Sequence, residues 1–353
     1  MSSEGVSQLD TLSLVSERED PPSYSSSPIE LQTHEFVIRD SSGKLKAFPS
    51  EKSMHIYEFS KRHSHLQRHD PLFIKAKGYQ NMSVGLPLLI SHRRSRLGSG
   101  EYVYSKFFEC KPTPNDGDKL YDKGDDRQIG HVLLKEFVGY HRYIIRLKDT
   151  EVVVFVHKRL PIADFKIGNE RFRFVKAYKE PEGPIPRTPF FYQMYLLAPH
   201  QPSLIDNLDS CLRVQTNNPL LGLSARNIFR GSTPQPELDD FVSPYSYGSL
   251  EACRHGGRFS RNKKCATVKL NACISGNPHS NKDVEFTSLI FVAVSLVLQH
   301  HEMDIQQKRA TETSSLTNTS VVRGNLGVAS SFAVSNTWVS TDNCGGMGAS
   351  GSF

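Results

Sequence analysis

The sequence predicts a mainly β (α+β) protein: an antiparallel β-barrel enclosing one hydrophobic helix near the C-terminal end, with disordered tails on both sides. Three observations lead there. Phe286–Leu298 (FTSLIFVAVSLVL) is an uncharged, almost wholly apolar run. Upstream of it, short aromatic and β-branched runs follow one another at close spacing, separated by turn residues. The two ends of the chain are rich in Ser, Thr and Gly and poor in large apolar side chains.

In chain order, residues 1–30 are Ser-rich, acidic and unable to bury a core, so they read as a disordered tail. That tail carries Pro21-Pro22-Ser23-Tyr24, a PPxY sequence. Consecutive prolines fix φ and prebuild a polyproline II turn, which lowers the entropy lost on docking. An aromatic-lined WW groove takes such prolines, and the tyrosine ring enters a neighbouring pocket. Ser23, Ser25, Ser26 and Ser27 are candidate phosphorylation sites, and a phosphate there would add about −1.5 to −2 charge beside Tyr24.

Residues 31–309 read as a single barrel domain. Glu35–Ile38 is a short strand closed by the turn signal Asp40-Ser41-Ser42-Gly43. Ser53–Gly85, with the basic, His-rich stretch KRHSHLQRHD, reads as a short helix or a loop. Strands follow at Tyr102–Cys110, Ile129–Val138, Arg142–Leu147 and Val152–His157, with Gly139-Tyr140 and Lys148-Asp149 as punctuation and a hairpin at the second pair. Asp164–Ile167 meets Gly168-Asn169 and continues as Arg171-Phe172-Arg173-Phe174-Val175. That alternation of arginine and phenylalanine marks a half-buried strand. Further strands are expected at Phe190–Leu197 and Ala266–Ala272. Between them, Gln201–Leu250 is polar and rich in Pro, Ser and Asn, and reads as a long insertion or surface loop.

The apolar run is short for a membrane span, which takes about 20 residues. Its flanks suit a helix. Ser280 and Asp283 have the spacing of a capping box, Asp283 and Glu285 suit the positive end of the dipole, and Lys308 and Arg309 suit the negative end. Ile290, Val292, Val294 and Leu296 lie on more than one side, so the helix must be enclosed rather than laid on a surface. In His300-His301-Glu302, the histidines are expected to end the buried face and to partner the C-terminal dipole. Residues 310–353 form the second polar tail. Its Gly346-Met347-Gly348-Ala349-Ser350-Gly351 has the letters of a dinucleotide fingerprint but no helix after it to aim amides at a pyrophosphate.

The net charge of +6 permits an anionic partner without demanding one. No apolar segment follows Met1, so a cytoplasmic chain with reduced thiols is expected. Cys253, His255, Cys265 and Cys273 match no standard zinc spacing, and neither metal nor cofactor is expected. Gly222-Leu223-Ser224-Ala225-Arg226 lacks the second glycine of a nucleophile elbow, and no Walker loop exists, so an enzyme is not expected. Candidate lipid-binding cations are Arg93, Arg94 and Arg96, then Arg254, Arg258, Arg261, Lys263 and Lys264. A third basic group comprises Lys61, Arg62 and Arg68 with His63, His65 and His69. Nucleic acid is not expected, because Phe172, Phe174, Phe190 and Phe191 fall where a core would want them.

The order of strands followed by one hydrophobic helix, Phe286–Leu298, resembles the tubby-like superfamily, which includes tubby C-terminal domains, LURP-one-related proteins and phospholipid scramblases. The resemblance is architectural, covers about two thirds of the chain and lacks a tubby signature near the C-terminus. It implies a barrel threaded by that helix, and headgroup binding by basic side chains of the barrel wall. With PPxY it implies a non-enzymatic adaptor, peripheral at the plasma membrane or endomembranes, that binds anionic phospholipid and a WW-domain HECT-type ubiquitin ligase. Two alternatives remain open: a scramblase-like lipid-handling protein, and a pleckstrin-homology-like phosphoinositide module whose helix caps the barrel with one apolar face.

Overall fold

A computed structural model describes residues 33–41, 43–94, 100–110, 120, 126–178, 190–206, 208–221, 241–253, 264–271, 279–281 and 284–320. The expected barrel is present. Twelve strands form one closed antiparallel sheet in which each strand pairs with its neighbours in sequence, and β1 pairs with β12 to close it. The strands are β1 (Thr33–Ser41), β2 (Lys44–Phe48), β3 (Leu89–Arg93), β4 (Tyr102–Cys110), β5 (Asp126–Glu136) and β6 (Tyr140–Leu147). They continue as β7 (Thr150–His157), β8 (Ile162–Ile167), β9 (Glu170–Tyr178), β10 (Phe190–Leu196), β11 (Ser246–Ala252) and β12 (Lys264–Asn271).

The turns follow from local chemistry. Ser41 pairs with Lys44 across Gly43, whose φ of +80° suits a residue without a Cβ. Leu147 pairs with Thr150 across Lys148-Asp149, with Lys148 at φ +52°. Ile167 pairs with Glu170 across Gly168-Asn169, with Gly168 at φ +59°. Positive φ at a two-residue connection gives the turn twist that matches paired strands.

Two helices lie between β2 and β3, where the sequence left helix or loop open. In α1 (Glu51–Arg62), the Ser50 side chain accepts the Ser53 N–H at 3.2 Å and caps the start. Met54 and Tyr57 pack with Val37 and Phe48 on the outside of the wall. In α2 (Pro71–Asn81), Asp70 accepts the Leu72 N–H at 2.8 Å and Pro71 opens the first turn.

The apolar run begins α3 (Phe286–Ser320). Leu289 to Leu298 are all buried, whichever side of the helix they occupy, as an enclosed helix requires. Phe291 meets Phe172 edge-on at 5.0 Å, Phe165 at 5.8 Å and Tyr247 at 4.9 Å between ring centroids. By contact, the chain divides into Met1–Glu302, which holds the barrel and the apolar part of α3, and Met303–Phe353, which holds the rest of the helix.

Several expectations are corrected. Ser280 does not cap α3: it bridges to Val84, and its hydroxyl reaches the Met82 carbonyl, while the first helical hydrogen bond runs from the Leu289 N–H to the Glu285 carbonyl. Asp283 lies outside the described residues. Lys308 and Arg309 do not end the helix, because no Gly or Pro occurs before Gly324 and the helix runs to Ser320. The Arg171–Val175 strand is not half-buried. Arg173 is 1% exposed, because residues 201–206 and 208–221 fold over the outer wall.

That segment is not a plain surface loop either. Leu204, Val214, Leu220 and Phe241 form a second core with Tyr140, Phe155, Leu160, Ile162 and Val175. Arg173 pairs with Asp164 at 2.7 and 2.8 Å, and Asp164 also accepts from the Ser203 hydroxyl and the Leu204 N–H. The last residues of the expected insertion, Ser246–Leu250, belong to β11.

Candidate functional site

Along α3 the apolar run gives way to Gln299, His300, His301 and Glu302, all buried. Buried polar groups must find partners or lose free energy. Here His300, His301 and Glu302 each find a different wall, and the Gln299 side-chain oxygen is buried without a hydrogen-bond partner. His300 Nε2 is hydrogen-bonded to the Ser91 hydroxyl of β3 at 3.0 Å. His301 Nδ1 is bonded to the Tyr143 hydroxyl of β6 at 2.8 Å. The Glu302 carboxylate accepts from Lys176 Nζ of β9 at 2.7 Å and from the Tyr192 hydroxyl of β10 at 2.6 Å.

The pattern is geometric. Consecutive helical residues are about 100° apart, from about 3.6 residues per turn. Twelve strands closed around an axis give each about 30°. Successive residues of α3 therefore meet walls about three strands apart, which is the observed progression through β3, β6 and β9–β10. Aromatic rings fill between these contacts: Tyr104 lies 5.2 Å from Tyr143 and 6.3 Å from His300, and His141 lies 5.2 Å from His301. Burial drives the His300 pKa down to about 3, assisted by the charges of Arg93 and His92. His300 is thus a neutral group that fixes the helix rather than a proton carrier near neutrality.

No group of three or more His, Cys, Asp and Glu side chains among the described residues is placed to hold a metal. What the polar end can do is lock the rotation and depth of α3, since sliding or turning the helix would break three walls' contacts together.

Of the cations proposed from sequence, Arg93, Arg94 and Lys264 are among the described residues, and these three do not share one site. Arg93 ends β3, half-buried, with its charge felt at His300, and Arg94 follows it, exposed, its N–H bonded to the Tyr104 carbonyl at 2.9 Å. Lys264 opens β12, separated from β3 by β1 and β2, a span of roughly 14 Å at the usual strand spacing. Its ammonium lies 3.1 Å from Glu51 and 3.3 Å from Glu35. Burial works against that charge, but the two carboxylates outweigh it and hold the pKa above the ordinary lysine value. Lys264 therefore joins β12, β1 and α1 rather than being presented outward. Arg96, Arg254, Arg258, Arg261 and Lys263 lie outside the described residues, as do Pro21, Pro22, Ser23 and Tyr24.

The sequence also gave no sign of the charged cluster under α1. Lys46 Nζ donates to the Tyr57 hydroxyl at 2.6 Å, and Arg39 pairs with Glu58. Lys46 and Arg39 are each only 3% exposed, and burial pushes the Tyr57 pKa up to about 12. These residues lie up to 19 positions apart, so only the β1–β2 register and the packing of α1 reveal them.

The profile of the DIA1 family matches residues 37–309, which span the chain from β1 into α3. The chain belongs to the DIA1 family. No curated protein matches it, and no solved structure does. The matched stretch of this DIA1 chain includes all or part of every strand of the barrel and the whole of Gln299–Glu302.

Proposed function

We propose that this DIA1-family protein is a non-catalytic, cytoplasmic adaptor of tubby-like architecture. Its barrel docks on anionic phospholipid headgroups, and its PPxY segment engages a WW-domain ubiquitin ligase of the HECT class. One observation carries the reading. The apolar part of α3 is enclosed on all sides, and the polar residues that follow it are spent on holding it, so recognition is left to the outer surface and the tails. Arg93 and Arg94 at the end of β3, with Arg96 after them, and the cations Arg254, Arg258, Arg261 and Lys263 ahead of β12 supply the charge. Each Lys or Arg near an anionic leaflet contributes about 1 kcal/mol.

Pelleting of the full chain with phosphatidylcholine vesicles, with and without a phosphoinositide, tests the docking. Salt-sensitive binding that depends on the anionic lipid is expected, and failure to pellet at any salt concentration would eliminate it. Tyr24→Ala should abolish capture by a WW-domain ligase, and unchanged capture would remove that role.

A lipid-handling reading has one observation in its favour: α3 from Phe286 to Thr311 is long and apolar enough to cross a membrane. Against it, 78% of its apolar window is buried. Alkaline carbonate separates the two readings, since a docked protein is released and an inserted one is retained.

A further inference from the structure

Seven large apolar side chains of the described residues stay exposed, and three of them belong to one short element: Leu72 at 43% and Ile74 at 59% in α2, and Met82 at 58% at its C-cap. Their exposure is not loose packing. Phe73, Ala76 and Gln80 turn inward at helical spacing, and Phe73 and Ala76 form a core with Leu120, against which Phe59 and Leu66 pack. The α1–α2 hairpin is thus anchored on its inner side, and Ile74, Lys75 and Met82 are exposed on the side away from it, with Leu72 exposed at one flank and Lys77 half-buried at the other.

The charge around α2 and its approach from the end of α1 is one-sided, since Glu51 and Glu58 lie earlier in α1 and face Lys264 and Arg39. From Lys61 to Met82 the chain holds five cations, Lys61, Arg62, Arg68, Lys75 and Lys77, against one carboxylate, Asp70. That carboxylate is occupied in capping α2. Lys61, Arg62, Arg68 and Lys75 are exposed. A short helix with apolar side chains outward among exposed Lys and Arg has the composition of an element that lies in the plane of an anionic bilayer. At 11 residues α2 is too short to cross one.

We infer that the α1–α2 hairpin is an interfacial anchor that sinks Leu72, Ile74 and Met82 into the acyl boundary of an anionic membrane while Lys61, Arg62, Arg68, Lys75 and Lys77 meet its headgroups. This rests on the membrane-docking reading and adds both the face that makes contact and its mode, which is insertion of apolar side chains in addition to headgroup attraction. The anchor is distinct from the cations at the end of β3 and ahead of β12.

The test uses the single tryptophan of the chain, Trp338. In a Trp338→Phe background, Ile74→Trp places an indole at an exposed position where folding is not at stake. With mixed phosphatidylcholine–phosphatidylserine vesicles, its emission should shift to the blue and be quenched by lipids brominated on their acyl chains. Pure phosphatidylcholine should do much less. In the parent chain, Leu72→Ser with Ile74→Ser should lower the vesicle partition coefficient about tenfold or more, the order expected for two aliphatic side chains partly removed from water. An unshifted indole with pelleting retained overturns the anchor and leaves docking through another face standing. An unshifted indole with pelleting lost overturns both. A shift that appears without vesicles and grows with protein concentration identifies a second copy of the chain as the occupant, and likewise overturns the anchor.

Discussion

Glu302 is the residue on which the helix lock depends most heavily, because one carboxylate serves two walls. Its oxygens accept from Lys176 at 2.7 Å and from Tyr192 at 2.6 Å, and the side chains of Lys176 and Glu302 are only 10% and 4% exposed. Glu302→Ala takes the counter-charge from a buried ammonium, a change that costs about 3–5 kcal/mol in other buried pairs. With a urea m-value of about 3 kcal/mol per M, suited to a chain of this size, the midpoint should fall by about 1–2 M. Far-ultraviolet circular dichroism follows the loss of the barrel. Glu302→Gln keeps an acceptor for the Tyr192 hydroxyl and should cost less. Lys176→Met combined with Glu302→Leu removes both charges and should recover most of the loss, since a buried pair replaced by apolar side chains is often neutral. The double-mutant cycle should therefore give a coupling of about 2 kcal/mol or more. A loss below about 1 kcal/mol for Glu302→Ala, or a coupling near zero, would refute the idea that this pair is desolvated and fixes α3.

Three further outcomes follow from burial. Phe291, packed among Phe165, Phe172 and Tyr247, is 1% exposed, so Phe291→Ala should lower stability by about 3–5 kcal/mol in the same titration. His157 and His300 are held neutral by burial, with pKa values near 4 and 3 against an ordinary value of 6.5. The unfolded chain then binds more protons, so stability is complete above pH 6.5 and falls by about 1.4 kcal/mol per unit for each histidine as the pH drops toward 4. His157→Asn, which keeps an acceptor for the Arg159 and Leu160 N–H groups, should lower that slope by about 1.4 kcal/mol per unit; an unchanged slope would exclude His157 as a source. Among the described thiols, Cys211 is exposed, whereas Cys265 is buried and its pKa is pushed well above the thiol range by that burial. Alkylation mapped by peptide mass should modify Cys211 in the native protein and Cys265 only after denaturation.

The parts of the barrel that were legible share a property. Arg142–Leu147, Val152–His157 and Phe190–Leu197 are long enough to show a period and are bounded by residues with turn chemistry, such as Lys148-Asp149. The three missed strands lack it. β2 and β3 have only five residues each. In β11, pairing with β10 skips from Gly248 to Ser246, so Tyr247 sits on a bulge and the alternation fails where it would have been read. Gly248 adds to the disguise. It reads as a loop residue, yet a Cβ there would lie 2.2 Å from the Lys269 carbonyl oxygen, so the neighbouring strand demands glycine. Arg173 misled for a different reason: its outward position was right, but a segment 29 or more residues later covers it, and no local pattern records that cover.

His300-His301-Glu302 was visible as the polar end of the buried face, which the burial bears out, but the dipole role read for the histidines assumed an ordinary helix end, and the helix runs on to Ser320. The burial of four consecutive polar residues decides the matter. A helix on one face of an open sheet buries roughly one stripe, so at most two of any four successive residues face the sheet and the others meet solvent. Gln299 to Glu302 sweep about 300° of the helix circumference, and all four are covered. Only a wall that surrounds the axis can supply partners through such an angle, and the partners found on β3, β6 and β9–β10 do so in barrel order. A run of adjacent polar residues directly after an all-round apolar helix therefore carries information about closure that an apolar run alone does not. Leucine and valine are content in any core, whereas a histidine, a histidine and a glutamate in succession stay buried only if three separate walls answer them.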